Sequence, residues 1–204
     1  MDVLTGALQI LASVIAVGGV AKIASPDGFA SLLRTLGLPG TRAVSRACGA
    51  VEVVLGVGAV VAGGTIAAAL VGLTYTAFAV VVLLARRSGA SSCGCFGSVA
   101  SPPSPVHVVV NAVSAVVAFA AAAVDPASLA DSLSGQPLLA IPYLVTIATA
   151  VWLVVVLDTT GALLADRTVE VARMGPRFRE HSATSAPART THRHRSPRPT
   201  DDRT

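Results

Sequence analysis

The segment Ser91-Ser92-Cys93-Gly94-Cys95-Phe96-Gly97-Ser98 holds two of the chain's three cysteines, one residue apart, in a polar gap of a very apolar sequence. As a staple this pair is poor. Closing a ring of three residues removes only about 1.6 kcal/mol of chain entropy, against about 3 kcal/mol for a fifteen-residue loop. Bridged cysteines also need Cα atoms about 4.4–6.8 Å apart, and Gly94 gives the backbone freedom for so tight a turn. A strained small ring is easily reduced, and labile disulfides are the catalytic or regulatory ones. Arg86, Arg87 and His107, if close, favour the thiolate. Thiol–disulfide exchange at Cys93 and Cys95 is therefore a better account of the pair than stabilisation. Soft thiolates also select Zn or Cu(I), and Cys48, Cys93, Cys95 and His107 would make a Cys3His set of tetrahedral type. A third reading is a Gly/Ser loop whose cysteines do no chemistry.

Four further residues could shape a polar pocket: Lys22, Glu52, His107 and Asn111. A charge within a bilayer costs roughly 2.5–3.5 kcal/mol on insertion scales, so Lys22 and Glu52 need partners. Lys22 ends an apolar run and can snorkel; Glu52 sits deeper and has less freedom. The pair either shapes a pocket that handles protons or is a structural ion pair between helices. Asn111 is either a pocket residue or an interhelical amide. His107 follows a Pro-rich loop and reads as a solvated interfacial histidine or as a pocket member. Cys48 stands four residues before Glu52 on one helical face, and a lone thiol there packs as a small hydrophobe.

The elements that must position these residues are membrane spans. The chain has 204 residues, 53% hydrophobic and only 13% charged, with a mean hydropathy of +0.71. A soluble domain carries about 25% charged residues. Five segments approach the roughly 20 apolar residues that a spanning helix needs: about Val3–Ile23, Ala43–Ala62, Ile66–Ala85, Val106–Val124 and Leu138–Leu157. The start has no basic region before the first apolar run, which reads as a retained span rather than a signal peptide. Between the first two spans, Ser25 is placed to cap a short amphipathic interfacial helix, with Pro26 and Asp27 in its first turn and Gly37 and Pro39 ending it. Gly63-Gly64-Thr65 is a tight turn. After Asp158 the chain is expected to stay helical through about Met174, and the basic, low-complexity stretch from Gly175 is expected to be disordered.

The predicted fold is all-α: a polytopic transmembrane bundle of four core spans plus a fifth, with a disordered C-terminal tail. The parts are residues 1–125 (four-helix transmembrane domain), 126–174 (extra span with a helical extension) and 175–204 (tail). Lys22, Arg34, Arg42, Arg46, Arg86, Arg87 and the arginines after the last span all fall on one side of five spans. The positive-inside rule puts that side, with the Cys93–Cys95 loop and the tail, in the cytoplasm and the N-terminus outside. The basic tail is a membrane anchor and topology signal rather than a nucleic-acid-binding domain, so the lipid bilayer is the expected partner and nucleic acid is not.

The ordered set Lys22-Ile23-Ala24-Ser25-Pro26 with Phe29, Leu36-Gly37-Leu38-Pro39, Glu52-Val53-Val54-Leu55-Gly56, Cys93-Gly94-Cys95-Phe96-Gly97 and Asn111 resembles the MauE (methylamine utilisation) family, related to DoxX-like membrane proteins. The resemblance covers residues of about 1 to 125. It implies a four-helix membrane domain and a role in maturation of methylamine dehydrogenase through disulfide formation. Similarity to membrane thiol oxidoreductases that use quinone implies quinone as a cofactor by analogy. Cys93 and Cys95 would be the dithiol, acting on a protein thiol or disulfide partner or a thioredoxin-like carrier. Lys22, Glu52 and Asn111 are matching positions without an assigned role. Two alternatives stand beside this: a metal-binding membrane protein built on Cys48, Cys93, Cys95 and His107, and a non-catalytic membrane scaffold.

Overall fold

The structure, a computed structural model, describes residues 3–90, 103–134 and 137–157. Every regular element among them is helical. Five helices are long and apolar enough to cross a membrane: α1 (Val3–Ala24), α3 (Arg42–Ala62), α4 (Gly64–Arg87), α5 (Pro105–Ala122) and α7 (Ala140–Leu157). Two short helices, α2 (Asp27–Thr35) and α6 (Leu129–Ser134), and a 3-10 turn at Pro137–Leu139 complete the described elements. The chain is a multi-pass membrane protein. Its large aliphatic side chains, such as Val54, Val61, Ile66, Val113 and Val116, point outward, while alanines such as Ala12, Ala68, Ala118 and Ala121 fill the interior. In lipid that distribution carries no hydrophobic penalty, and small residues let helix backbones approach.

Helix α1 packs mainly on α3, and α4 mainly on α5; smaller contacts of similar extent, α1 with α5 and α3 with α4, join the two pairs. The core contains Leu8, Ala12 and Ile15 of α1, Val71 and Tyr75 of α4, and Ala115 and Ala118 of α5. The Tyr75 hydroxyl donates to the Leu11 carbonyl at 2.9 Å, tying α4 to α1. Helices α1 and α3 run antiparallel, because Gly19 meets Gly49 and Gly56 meets Ala12 along their contact. The end of α1 and the start of α3 therefore share one end of the bundle.

Helix ends follow the local sequence with one exception. The Ser25 N–H still bonds the Ala21 carbonyl at 2.8 Å, so Ser25 closes α1 instead of capping α2. Pro26 holds the cap position with helical angles and no side-chain cap bond. The backbone stays nearly helical through the junction, which leaves the expected serine cap unused. Gly37, with φ +74°, ends α2: its N–H bonds the Arg34 carbonyl and the Leu38 N–H bonds that of Leu33, the paired bonds of a Schellman motif. Gly89 and Ala90 close α4 in the same way.

At the other end, Gly63 and Gly64 both have positive φ, which glycine adopts without penalty. The Asp125 carboxylate accepts from the Thr65 N–H and hydroxyl, so α4 is capped from 60 residues away. The segment "DPASLADSLSGQP" leads from α5 toward α7. It contains α6, whose Ser128 hydroxyl accepts from the Asp131 N–H and donates to its carboxylate. The expected helical extension after Asp158 and the tail lie outside the described residues.

Candidate functional site

Lys22 stands in the last turn of α1, from where it could either snorkel outward or pair with Glu52. It turns inward and is 2% exposed. Its Nζ donates to Glu52 Oε2 of α3 at 2.7 Å. The ring centroids of Phe29 and Phe78 each lie 5.4 Å from the ammonium, within cation–π range. Phe29 comes from α2 and Phe78 from α4, so an ammonium is held by a carboxylate and two aromatic faces from three other helices. Close approach of the backbones makes this possible: the Cβ of Lys22 lies near Gly49, and that of Glu52 near Gly19. Desolvating both charges is expensive, and their attraction offsets the cost only in good geometry.

The pair opens onto a cavity of about 180 Å³. Cys48, Tyr75, His107 and Asn111 line it with Lys22 and Glu52; Val14, Ile15, Phe78 and Val81 supply apolar wall. Each described residue of the expected polar pocket thus reaches one cavity, from α1, α3 and α5, with α2 and α4 closing it.

His107 differs from a solvated interfacial histidine. It is 5% exposed, and its Nδ1 lies 3.3 Å from the Ser104 backbone N–H and 3.0 Å from the Ser104 hydroxyl. In return the Ser104 hydroxyl accepts from the His107 N–H. His107 therefore completes a capping box at the start of α5, with Pro105 in the first turn. Burial follows because the box folds the ring back along the helix start. Asn111 is not the interhelical amide that was one expectation for it: its Nδ2 donates to the His107 carbonyl at 2.7 Å within α5.

Cys93 and Cys95 lie outside the described residues. Cys48 is a free cysteine of intermediate exposure. Among the described residues, no group of three His, Cys, Asp or Glu side chains is placed to hold a metal; of the Cys3His set, Cys48 and His107 share the cavity wall.

Sequence reasoning missed a second polar cluster. Gln9 of α1 is 2% exposed; its Nε2 reaches the Ser132 hydroxyl of α6 at 3.4 Å, and its Oε1 accepts from the Tyr143 hydroxyl of α7 at 2.8 Å. The available signal was an amide inside a span, which needs a partner in lipid. The aromatic cage was missed too, since Phe29 and Phe78 read as ordinary apolar positions.

No curated protein and no solved structure matches the chain. The family model described as "Methylamine utilisation protein MauE" matches residues 2–124, a range that takes in α1 to α5 and the whole cavity wall. The chain belongs to the MauE family.

Proposed function

We propose that this chain serves methylamine utilisation as a membrane accessory factor that performs thiol–disulfide exchange through Cys93 and Cys95. One observation supports the reading most. In sequence the dithiol lies between the Gly89–Ala90 closure of α4 and the Ser104–His107 box of α5, and His107 also lines the cavity beside Lys22 and Glu52. The two flanks of the dithiol segment therefore stand at the end of the bundle that holds the cavity. The basic residues at this end of the bundle favour a cytoplasmic orientation for the loop, with the N-terminus outside.

In the exchange, the thiolate of Cys93 or Cys95 attacks one sulfur of a partner disulfide, and the other partner sulfur leaves as a thiolate. The second cysteine then attacks the mixed disulfide. The partner departs as a dithiol, and Cys93–Cys95 is left oxidised. A thioredoxin-like dithiol returns the two electrons and two protons. Run in reverse, the oxidised pair takes electrons from a partner dithiol and passes them to a quinone, which becomes a quinol. Maturation of an enzyme rich in disulfides uses the reverse direction.

The test is trapping. Cys95→Ser and Cys93→Ser remove the resolving thiol in turn, so one variant should accumulate a mixed disulfide that runs as a larger band without reductant and collapses with it. No such band from either variant would argue against exchange. The shared position of Cys48 and His107 favours a second reading, a soft-metal site completed by the loop cysteines. Stoichiometric Zn or Cu in the purified chain, lost in Cys48→Ser, would select it.

A further inference from the structure

Three arginines meet one carboxylate where the chain passes from α2 to α3. Arg42 donates to both oxygens of Asp27, from Nε to Oδ1 and from Nη2 to Oδ2. The stem of Arg34 crosses Gly40, two residues before Arg42, so closely that a Cβ at Gly40 would strike its Cγ. Arg46 follows Arg42 by four residues and shares its face of α3. The Asp27 carboxyl, held low first by its bond from Arg42, also feels the charges of Arg34 and Arg46. All three arginines are exposed. Among the described residues, Asp27 is the only carboxylate that pairs with any of them.

Three guanidinium groups against one carboxylate leave the cluster cationic. Arg42 and Arg46 repel each other at a spacing of four residues, and the Asp27 bonds occupy Arg42 alone. An anion beside Arg34 and Arg46 would relieve that repulsion. Helix α2 joins two membrane spans, so the cluster stands at the surface of the bilayer, at the level of phosphate groups. A guanidinium fork matches phosphate oxygens in shape as well as charge. At the same turn Leu38, whose N–H closes onto the Leu33 carbonyl, presents an exposed aliphatic side chain. Free phosphate has no use for that surface, whereas a lipid has. We infer that Arg34 and Arg46, backed by the Asp27-held Arg42, bind the phosphate of an anionic phospholipid, with Leu38 against the start of its acyl chains. A zwitterionic lipid is disfavoured because its own cation would face the arginines. This site is separate from the cavity and from the dithiol and depends on neither.

The test is native mass spectrometry of the purified full chain in detergent with added dioleoyl phosphatidylglycerol, counting the lipids each chain retains. Phosphatidylglycerol should be retained in preference to phosphatidylcholine with the same acyl chains. Arg34→Gln and Arg46→Gln should each weaken the first binding event about fivefold, and raised salt should weaken it further in the parent. Arg86→Gln with Arg87→Gln removes two exposed charges from the end of α4, outside the cluster, and should bind as the parent does. Inorganic phosphate at the same concentration should not displace the lipid. Every substituted side chain is exposed, so the variants should unfold at the parent's temperature without added lipid. Equal retention of phosphatidylcholine would overturn the inference. So would an equal loss in the Arg86 and Arg87 variant, which marks diffuse attraction, or displacement by inorganic phosphate, which marks a site for a free anion.

Discussion

Gly19 of α1 and Gly49 of α3 meet backbone to backbone. A Cβ on Gly19 would lie 2.5 Å from the Gly49 carbonyl oxygen, and one on Gly49 would lie 2.6 Å from that of Gly19. The ion pair straddles this contact, since a Cβ at position 49 would also lie 3.1 Å from the Lys22 Cβ. Gly49→Val should therefore separate the helices and stretch the Lys22–Glu52 bond. Overpacking of this kind costs about 1–3 kcal/mol. Gly58→Val, where a Cβ meets nothing within 4 Å, is the matched control and should not lower the unfolding temperature in detergent, since replacing a helix-interior glycine there overpacks nothing.

Removing one partner of the ion pair should be far worse than removing both. Lys22→Met leaves the Glu52 carboxylate buried without its cation, a loss of about 3–5 kcal/mol by analogy with other buried pairs. Lys22→Met with Glu52→Leu removes both charges and should recover most of that loss. A double-mutant cycle read by thermal unfolding checks this; additive losses would mean that the pair is not coupled.

The fully exposed pair at the start of α2 should behave differently. Arg42 donates from Nε to Asp27 Oδ1 at 2.6 Å and from Nη2 to Oδ2 at 3.1 Å. The hydrogen bond from Arg42, above all, holds the Asp27 carboxyl below its ordinary value of 3.8. A pKa lowered on folding adds stability that is fully present above the unfolded value and is lost as pH falls through the folded one. The gap in unfolding temperature between the parent and Asp27→Asn should be small at neutral pH, shrink with salt and close in acid below that range. A gap that widens in acid would reverse the assignment.

At the opposite end, Asp125 caps α4 through Thr65 while adopting φ +49°. Asp125→Ala loses the cap, a change worth about 0.5–2 kcal/mol, and puts an alanine in a left-handed conformation. Asp125→Asn tolerates that conformation and keeps an acceptor oxygen, so it should retain most of the stability. Thermal unfolding of the two variants separates loss of the cap from loss of charge.

Much of this architecture is legible in the residues. The spans declare themselves because about 20 apolar residues have few alternatives to a membrane helix. Gly37 marks the end of α2 because its backbone angle excludes most other residues. Lys22 and Glu52 announce a pairing because neither is tolerated alone in lipid. The aromatic faces around the Lys22 ammonium were not legible, since Phe29 and Phe78 arrive from other helices. Hydropathy is equally blind to which face of an apolar helix meets lipid, so the cage aromatics looked like any others. For His107 the sequence left a solvated and a pocket position open, because the capping box with Ser104 that buries it is a matter of side-chain geometry. Helix α6 was missed although Ser128 and Asp131 carry a recognisable cap pattern, because the segment is short and polar.

The proposed exchange requires Cys93 and Cys95 to cycle between dithiol and disulfide. The most direct measurement is thiol trapping in intact cells: acid quench, alkylation of free thiols, reduction, and labelling of the released thiols with a heavy maleimide, read by mass at both cysteines. The account predicts a partly oxidised pair whose ratio shifts with added reductant or a respiratory inhibitor. A pair that stays fully reduced under every condition would contradict it.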